Sequence, residues 1–168
     1  MSKTQKTLNA AVFVLYLLLL SWGILFKFGS PVFELTHTWR IPVNLVPFGA
    51  PLENLRLAVQ EMLFNFAAFL PMGLLVSALA GRGRPGLSAL VGFLVSVLYE
   101  ALQYLLAVGS ADVTDVILNT LGALAGAGAY FLLKAIFKGR TDRIIALAGL
   151  IIGLISAAFI VFLLVMNR

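Results

Sequence analysis

Residues 99–122, YEALQYLLAVGSADVTDVILNTLG, carry two polar pairs inside two long apolar runs. Glu100 and Gln103 belong to the first run, and Asp115 and Asn119 belong to the second. Intramembrane polar groups favour a functional site, because a charged side chain in hydrocarbon costs about 2.5 kcal/mol or more. The spacings i+3 and i+4 place each pair on one helix face, and helices joined by a short turn are usually antiparallel neighbours. The sequence therefore predicts that both pairs converge near the same membrane surface.

The composition is typical of an integral membrane protein. Of 168 residues, 61% are hydrophobic and only 11% are charged, with a mean hydropathy of +1.04. A helix needs about 20 apolar residues to cross the hydrocarbon core. Five stretches are long enough, and they cover residues 8–28, 62–80, 87–108, 115–137 and 144–166. We therefore expect an all-α bundle of five transmembrane helices that forms a single integral membrane domain over residues 1–168.

The basic residues predict the orientation, because Lys and Arg concentrate in short cytoplasmic loops. One side of the predicted bundle has a single acidic residue, Asp142, and these basic residues: Lys3, Lys6, Arg82, Arg84, Lys134, Lys138, Arg140 and Arg143. On the opposite side acidic residues outnumber basic ones. The N-terminus is therefore expected in the cytoplasm and the C-terminus outside. Because the excess positive charge lies at a membrane surface rich in anionic lipid, the net charge of +5 predicts no nucleic-acid partner.

The long connection over residues 29–61 is not expected to span the membrane. It contains four prolines, at Pro31, Pro42, Pro47 and Pro51. The stretch 41–49 is typical of an extended or re-entrant segment packed on the outer membrane surface. Apolar residues then recur at helical spacing and predict a short interfacial helix that leads into the second span: Leu52, Leu55, Val59 and Leu63. These elements would form an outer cap over the bundle, and a role as plain scaffolding stays open.

Several kinds of chemistry are excluded or disfavoured by the sequence. There is no cysteine, so disulfide and thiolate chemistry is excluded. His37 is the only histidine, which makes a zinc site improbable. No cofactor is expected, although Mg²⁺ or Ca²⁺ bound by oxygens of Glu100, Asp115 and Asn119 is a secondary alternative. The glycine pairs Gly122/Gly126 and Gly149/Gly153 predict close helix packing rather than a binding site.

Four parts of the chain resemble the VanZ-like family, in the same order. They are residues 44–48, residues 65–73, Glu100 with Gln103, and residues 112–122. The resemblance covers about residues 8–133 and leaves the helix predicted at 144–166 beyond the family core. The resemblance implies a bacterial plasma-membrane protein. The founding member of the family is associated with resistance to teicoplanin, a glycopeptide that acts on cell-wall precursors outside the cell. The resemblance implies a process rather than a particular reaction.

One position departs from the family pattern. Members that look similar usually carry an arginine just before the segment aligned with residues 110–115, whereas this chain has Gly109. If that arginine binds an anion or pairs with an acid, Arg40 or Arg56 would have to replace it here, or the function would be absent.

The leading hypothesis is a protein that binds an amphiphile in the outer leaflet. Besides membrane lipids, the expected partner is a lipid-linked cell-wall intermediate or a lipoglycopeptide. The residues expected to contact its polar head are Glu61, Asn65, Glu100, Gln103, Asp115 and Asn119, with Arg40 and Arg56 as nearby bases. Two alternatives stay open. One is an intramembrane enzyme acting on a lipid or lipid-linked substrate, with Glu100 and Asp115 as an acid–base pair. The other is a small proton-coupled carrier that titrates Glu100, for which a homodimer would compensate for the small size.

Overall fold

The computed structural model describes residues 2–26, 43–49, 55–106 and 108–166, and this part of the chain is almost entirely helical. Its five helices are α1 (Lys3–Phe26), α2 (Leu55–Leu79), α3 (Pro85–Leu105), α4 (Val113–Phe137) and α5 (Thr141–Met166). Two short strands, β1 (Val43–Asn44) and β2 (Ala111–Asp112), pair in parallel, with Val43 opposite Ala111 and Asn44 opposite Asp112. The prediction of an all-α fold is confirmed.

Successive helices run in opposite directions and give the bundle two chemically different ends. The basic end comprises the N-terminus of α1, the α2–α3 connection and the α4–α5 connection. The acidic end comprises the segment 43–49, the start of α2 and residues 108–112, which lead into α4. At 1.5 Å per residue, helices of 21 to 26 residues measure about 32–39 Å, which is enough to cross the hydrocarbon core of a bilayer.

Within the described residues, four helical stretches are long and apolar enough to span a membrane. Three of them belong to α1, α2 and α3, and the fourth, Val113–Met166, runs through α4 and α5. A 3-10 turn at Lys138–Arg140 separates those two helices, and Lys138 has a positive φ of 50° that ends α4. Its long apolar helices show that the chain is a multi-pass membrane protein. That it has five separate spans stays a prediction.

The second helix begins earlier than the sequence predicts. The short interfacial helix expected before residue 62 is not a separate element, because α2 runs without a break from Leu55 to Leu79. No proline or glycine interrupts residues 55–70, so the first turns simply continue into the span. Leu55 and Leu63 are exposed on this part of α2, as a helix facing lipid requires.

The core of the bundle is a glycine seam between α2 and α4. A Cβ atom added at Gly73 would overlap the carbonyl oxygen of Ala123, and one added at Gly126 would overlap that of Leu70. The predicted close packing at Gly122 and Gly126 is confirmed, and the partner is α2. Helix α3 approaches α4 by another contact, at Gly92, where an added Cβ would lie 2.5 Å from the Cβ of Ala123.

The second predicted glycine pair packs α5 against α1. A Cβ atom at Gly149 would lie 2.7 Å from Val12 Cγ1, and one at Gly153 would lie 2.6 Å from Leu15 Cδ2. Because residue numbers increase together on the two helices, α1 and α5 run parallel. Helix α5 is therefore held at the side of the bundle by small residues.

The glycine seam gives a direct test of the helix packing. We expect Gly126→Ala to lower the free energy of unfolding by about 1–3 kcal/mol, because the new methyl group overlaps backbone of α2. Gly128→Ala is the matched control, since a Cβ there meets nothing within 4 Å and alanine favours the helix by up to about 1 kcal/mol. Unfolding in detergent micelles measures both variants, and equal effects at the two positions would contradict the seam.

Candidate functional site

The start of α4 is fixed by an aspartate cap at the acidic end. Asp112 has extended backbone angles, and its Oδ1 accepts a hydrogen bond of 2.7 Å from the backbone N–H of Thr114. Asp115 lies in the first turn of α4, where a negative charge complements the helix dipole. Asp112 thus caps α4, and the two aspartates account for part of the acidic charge in this region.

Glu100 is buried near the C-terminal end of α3 and binds the chain that leads into α4. Its side chain is 8% exposed, and its Oε2 accepts a hydrogen bond of 2.8 Å from the backbone N–H of Asp112. Glu100 is thus shielded from lipid and bonded to a polar neighbour. The carboxyl group therefore joins α3 to the N-terminus of α4.

The segment 43–49 is tied to the same corner by side chains and backbone. Asn44 Nδ2 donates a hydrogen bond of 2.9 Å to Asp112 Oδ2, and the backbone N–H of Phe48 donates one of 3.0 Å to Thr114 Oγ1. Asn44 Oδ1 also accepts from the backbone N–H of Val46, which shapes the turn. Asp112 thus connects Glu100 on one side with Asn44 on the other.

Asn119 pairs with a serine that the sequence reasoning missed. Its Nδ2 donates a hydrogen bond of 2.8 Å to Ser96 Oγ, and both residues are buried between α3 and α4. Asn119 is 2% exposed, and within the described residues its Oδ1 is a buried oxygen with no hydrogen-bond partner. Ser96 could have been found, because it lies four residues before Glu100 on the same face of α3.

Gln103 faces a different neighbour from the other candidates. It is buried, and its Nε2 donates a hydrogen bond of 3.2 Å to the carbonyl oxygen of Ile24 in α1. The structure therefore brings Glu100 together with the start of α4, whereas Gln103 joins α3 to α1. Gln103 thus forms an interhelical hydrogen bond, and its partner is α1.

Four carboxyl groups gather at the acidic end. Asp115, Asp112 and Glu61 all lie near enough to Glu100 to act on it electrostatically. Glu61 is exposed near the start of α2, and Asn65 is buried one turn further along the same helix. Nothing in residues 2–26, 43–49, 55–106 and 108–166 forms a group of three or more His, Cys, Asp or Glu side chains suited to a metal ion.

Of the two predicted bases, Arg56 lies within the described residues and Arg40 does not. Arg56 is exposed in the first turn of α2. Arg40 lies outside the described residues, as does His37. Of the predicted outer segment 41–49, residues 43–49 are described, and they form an extended strand followed by a turn.

The basic end contains a separate polar cluster that holds three helices together. Lys134 Nζ lies 3.6 Å from Asp142 Oδ2, and Tyr130 donates a hydrogen bond of 2.8 Å to Asp142 Oδ1. Gln5 Nε2 donates to the backbone carbonyl of Asp142 at 3.1 Å and so adds α1 to the cluster. Charges that predicted the topology therefore also connect α1, α4 and α5.

A charge swap tests the link between Asn44 and Asp112. Asp112→Asn keeps the oxygen that caps α4 but turns the other atom into a donor that faces the Asn44 amide. We expect it to lower the free energy of unfolding by about 1 kcal/mol. Adding Asn44→Asp reverses the bond and should restore most of the loss, as measured by unfolding in detergent and by proteolysis within residues 43–49. A swap that is no more stable than the single variant would contradict this link.

The Ser96–Asn119 pair can be tested by a double-mutant cycle. Ser96→Ala leaves the Asn119 amide buried without its acceptor, so we expect a loss of about 1 kcal/mol in unfolding free energy. Asn119→Leu in the same chain removes both polar groups and should recover that loss. Additive losses from the two substitutions would show that the side chains do not interact.

Comparison with known proteins shows the family of the chain. The VanZ/LLP1 family model matches residues 13–134. Protein VanZ of Enterococcus faecium is 31% identical over 156 residues, which cover 88% of this chain and 89% of that protein. No solved structure matches the chain. The family match ends within α4. It includes the residues whose hydrogen bonds are described above for the acidic end and the start of α4, among them Asn44, Glu100, Asp112 and Asn119. The chain therefore belongs to the VanZ/LLP1 family.

Proposed function

We propose that the chain binds the head group of an amphiphile at its acidic end, in the outer leaflet of the bacterial plasma membrane, and thereby contributes to teicoplanin resistance. The observation that carries the proposal is the buried Glu100 carboxyl, which lies in a lipid-spanning helix beside three other acids. Burying an acidic group in a membrane-spanning helix is costly, and such groups often belong to functional sites even where, as here, they also hold the fold together.

The chemistry of the acidic end suits a ligand rich in hydrogen-bond donors. Carboxylate oxygens accept hydrogen bonds, and amides both accept and donate them. Glu100, Asp115 and Asn119 thus fit hydroxyl, amide or amino groups, which cell-wall intermediates and lipoglycopeptides carry. Asn65 and Glu61 on α2 extend the same acidic and amide surface, and Gln103 lies on the α1 side of α3.

The segment 43–49 supplies an apolar surface next to those polar groups. Its backbone is tied to α4, while Leu45, Val46 and Phe48 are 75%, 65% and 55% exposed. An acyl chain could lie against these side chains while the head group contacts the acids. An amphiphile fits this arrangement better than a fully soluble molecule does.

The orientation that the proposal requires follows from charge. Basic residues are concentrated at the basic end, and this supports a cytoplasmic location for that end and for the N-terminus. The acidic end and the C-terminus then lie outside, on the side where a glycopeptide meets its target. Arg56 lies close to the acidic end along α2 and is the described base able to take the role of the arginine that Gly109 replaces.

Expression in a teicoplanin-susceptible bacterium tests the proposed function. We expect the wild-type chain to raise the inhibitory concentration of teicoplanin and to purify with a bound amphiphile detectable by mass spectrometry. Glu100→Gln should remove most of both effects, because an amide oxygen still accepts from the Asp112 N–H while the charge is lost. Arg82→Gln, an exposed residue at the basic end, is the matched control and should behave as wild type.

Three results would contradict binding as the function. Resistance that is unchanged in Glu100→Gln would remove the acidic end from the activity. Lipid that is chemically converted by wild type and left intact by the variant would show an intramembrane enzyme. Proton flux into liposomes that is abolished by the variant would show a carrier.

A further inference from the structure

Resting on that proposed function, we propose that the head group bound at the acidic end carries a protonated amine. The amine would lie among the carboxyl groups of Glu61, Glu100, Asp112 and Asp115, and one of its N–H groups would reach Asn119 Oδ1. The head group is thereby assigned to one chemical class, an ammonium, with Asn119 as its deepest contact.

The first support is the sign of the charge at this end of the bundle. Three acids lie close enough to Glu100 to interact with it electrostatically. Among the side chains that the structure describes, Glu100 and Asp112 form no ion pair, whereas Asp142 at the basic end is paired with Lys134. A cation placed among these acids relieves their mutual repulsion, while a phosphate or diphosphate increases it.

The second support is the unpaired oxygen beneath the acids. Asn119 lies one turn below Asp115 on the same face of α4, and Ser96 lies one turn below Glu100 on the same face of α3. Asn119 donates to Ser96, yet its Oδ1 is buried without a partner within the described residues. A buried acceptor without a hydrogen-bond partner is unfavourable, so a donor of a bound ligand would satisfy this oxygen. An ammonium brings three donors, and a phosphate ester brings none.

The route to that oxygen is the seam between the outer parts of α3 and α4. In this region α3 is joined to α4 by the polar contacts of Glu100 and Ser96, and the close packing at Gly92 lies deeper. Glu100 Oε2 keeps its bond to the Asp112 N–H, and the other carboxylate oxygen is the one that would accept from an ammonium entering between α3 and α4. The N–H donor then reaches Asn119 while the tail stays against the apolar face of segment 43–49.

Binding of simple amphiphiles to the purified full-length chain tests the proposal. The probes share one tail and differ in the head: dodecylammonium, N-dodecylacetamide and dodecyl phosphate, each added below its micelle concentration. We expect dodecylammonium to bind about tenfold more tightly than N-dodecylacetamide and dodecyl phosphate to bind most weakly, as measured by native mass spectrometry. Equal binding of the three probes would overturn the ammonium while leaving amphiphile binding intact. Failure of every probe to bind would overturn both proposals.

Variants assign the contact residues. Glu100→Gln and Asn119→Leu should each remove most of the preference for dodecylammonium over N-dodecylacetamide, and Arg82→Gln should keep it. A preference that survives in Asn119→Leu would overturn the deep contact. So would a water molecule on Asn119 Oδ1 that persists in a structure with dodecylammonium bound. The comparison of probes on the wild-type chain stands even where a variant fails to fold.

The same ammonium could belong to a phospholipid or to a lipid-linked cell-wall intermediate. Phosphatidylethanolamine and an intermediate with a free side-chain amine are therefore compared, each against its N-acetylated form. The natural source is the one whose affinity falls upon acetylation. An unchanged affinity for both would overturn the proposal.

Discussion

The hydrogen bond between the Glu100 carboxyl and the backbone N–H of Asp112 is the interaction on which the acidic end depends. In hydrocarbon, each backbone group outside a helix needs a partner within the protein. Glu100 supplies that partner where the chain leaves α3 and has not yet entered α4. Asp112 can then cap α4 with one oxygen and hold Asn44 with the other. A single buried acid thus organises three separate parts of the chain.

The acidic end is supported by the close packing of α2 against α4 at their glycines. Because α2 and α4 meet with backbone against backbone at Gly73, Gly122 and Gly126, they have little freedom to slide. Helix α3 is attached differently, with one close contact at Gly92 and polar bonds further out. Motion that admits a ligand is therefore expected between α3 and α4 rather than between α2 and α4.

The sequence could predict the features that depend on local pattern. Apolar runs predicted the helices to within a few residues at most ends. Glycine spacing predicted close packing, but not which helix would be the partner. Asn44 and Asp112 are 68 residues apart, so no local period could reveal their bond. Similarly, the sequence predicts the face of α3 on which Gln103 lies. Its hydrogen-bond acceptor, the carbonyl oxygen of Ile24, depends on how α1 packs against α3.

The contrast between the two ends supports the proposed binding at the acidic end better than any single residue does. At the basic end, Asp142 meets Lys134, Tyr130 and Gln5, so its charge and its hydrogen bonds are used within the fold. At the acidic end, carboxyl groups lie near one another, and the Oδ1 of Asn119 is buried without a partner in the described part of the chain. Both clusters connect helices, so connection alone does not explain the difference. What distinguishes the acidic end is the buried Asn119 Oδ1, which has no partner within the described residues and which a donor of the proposed ligand would satisfy.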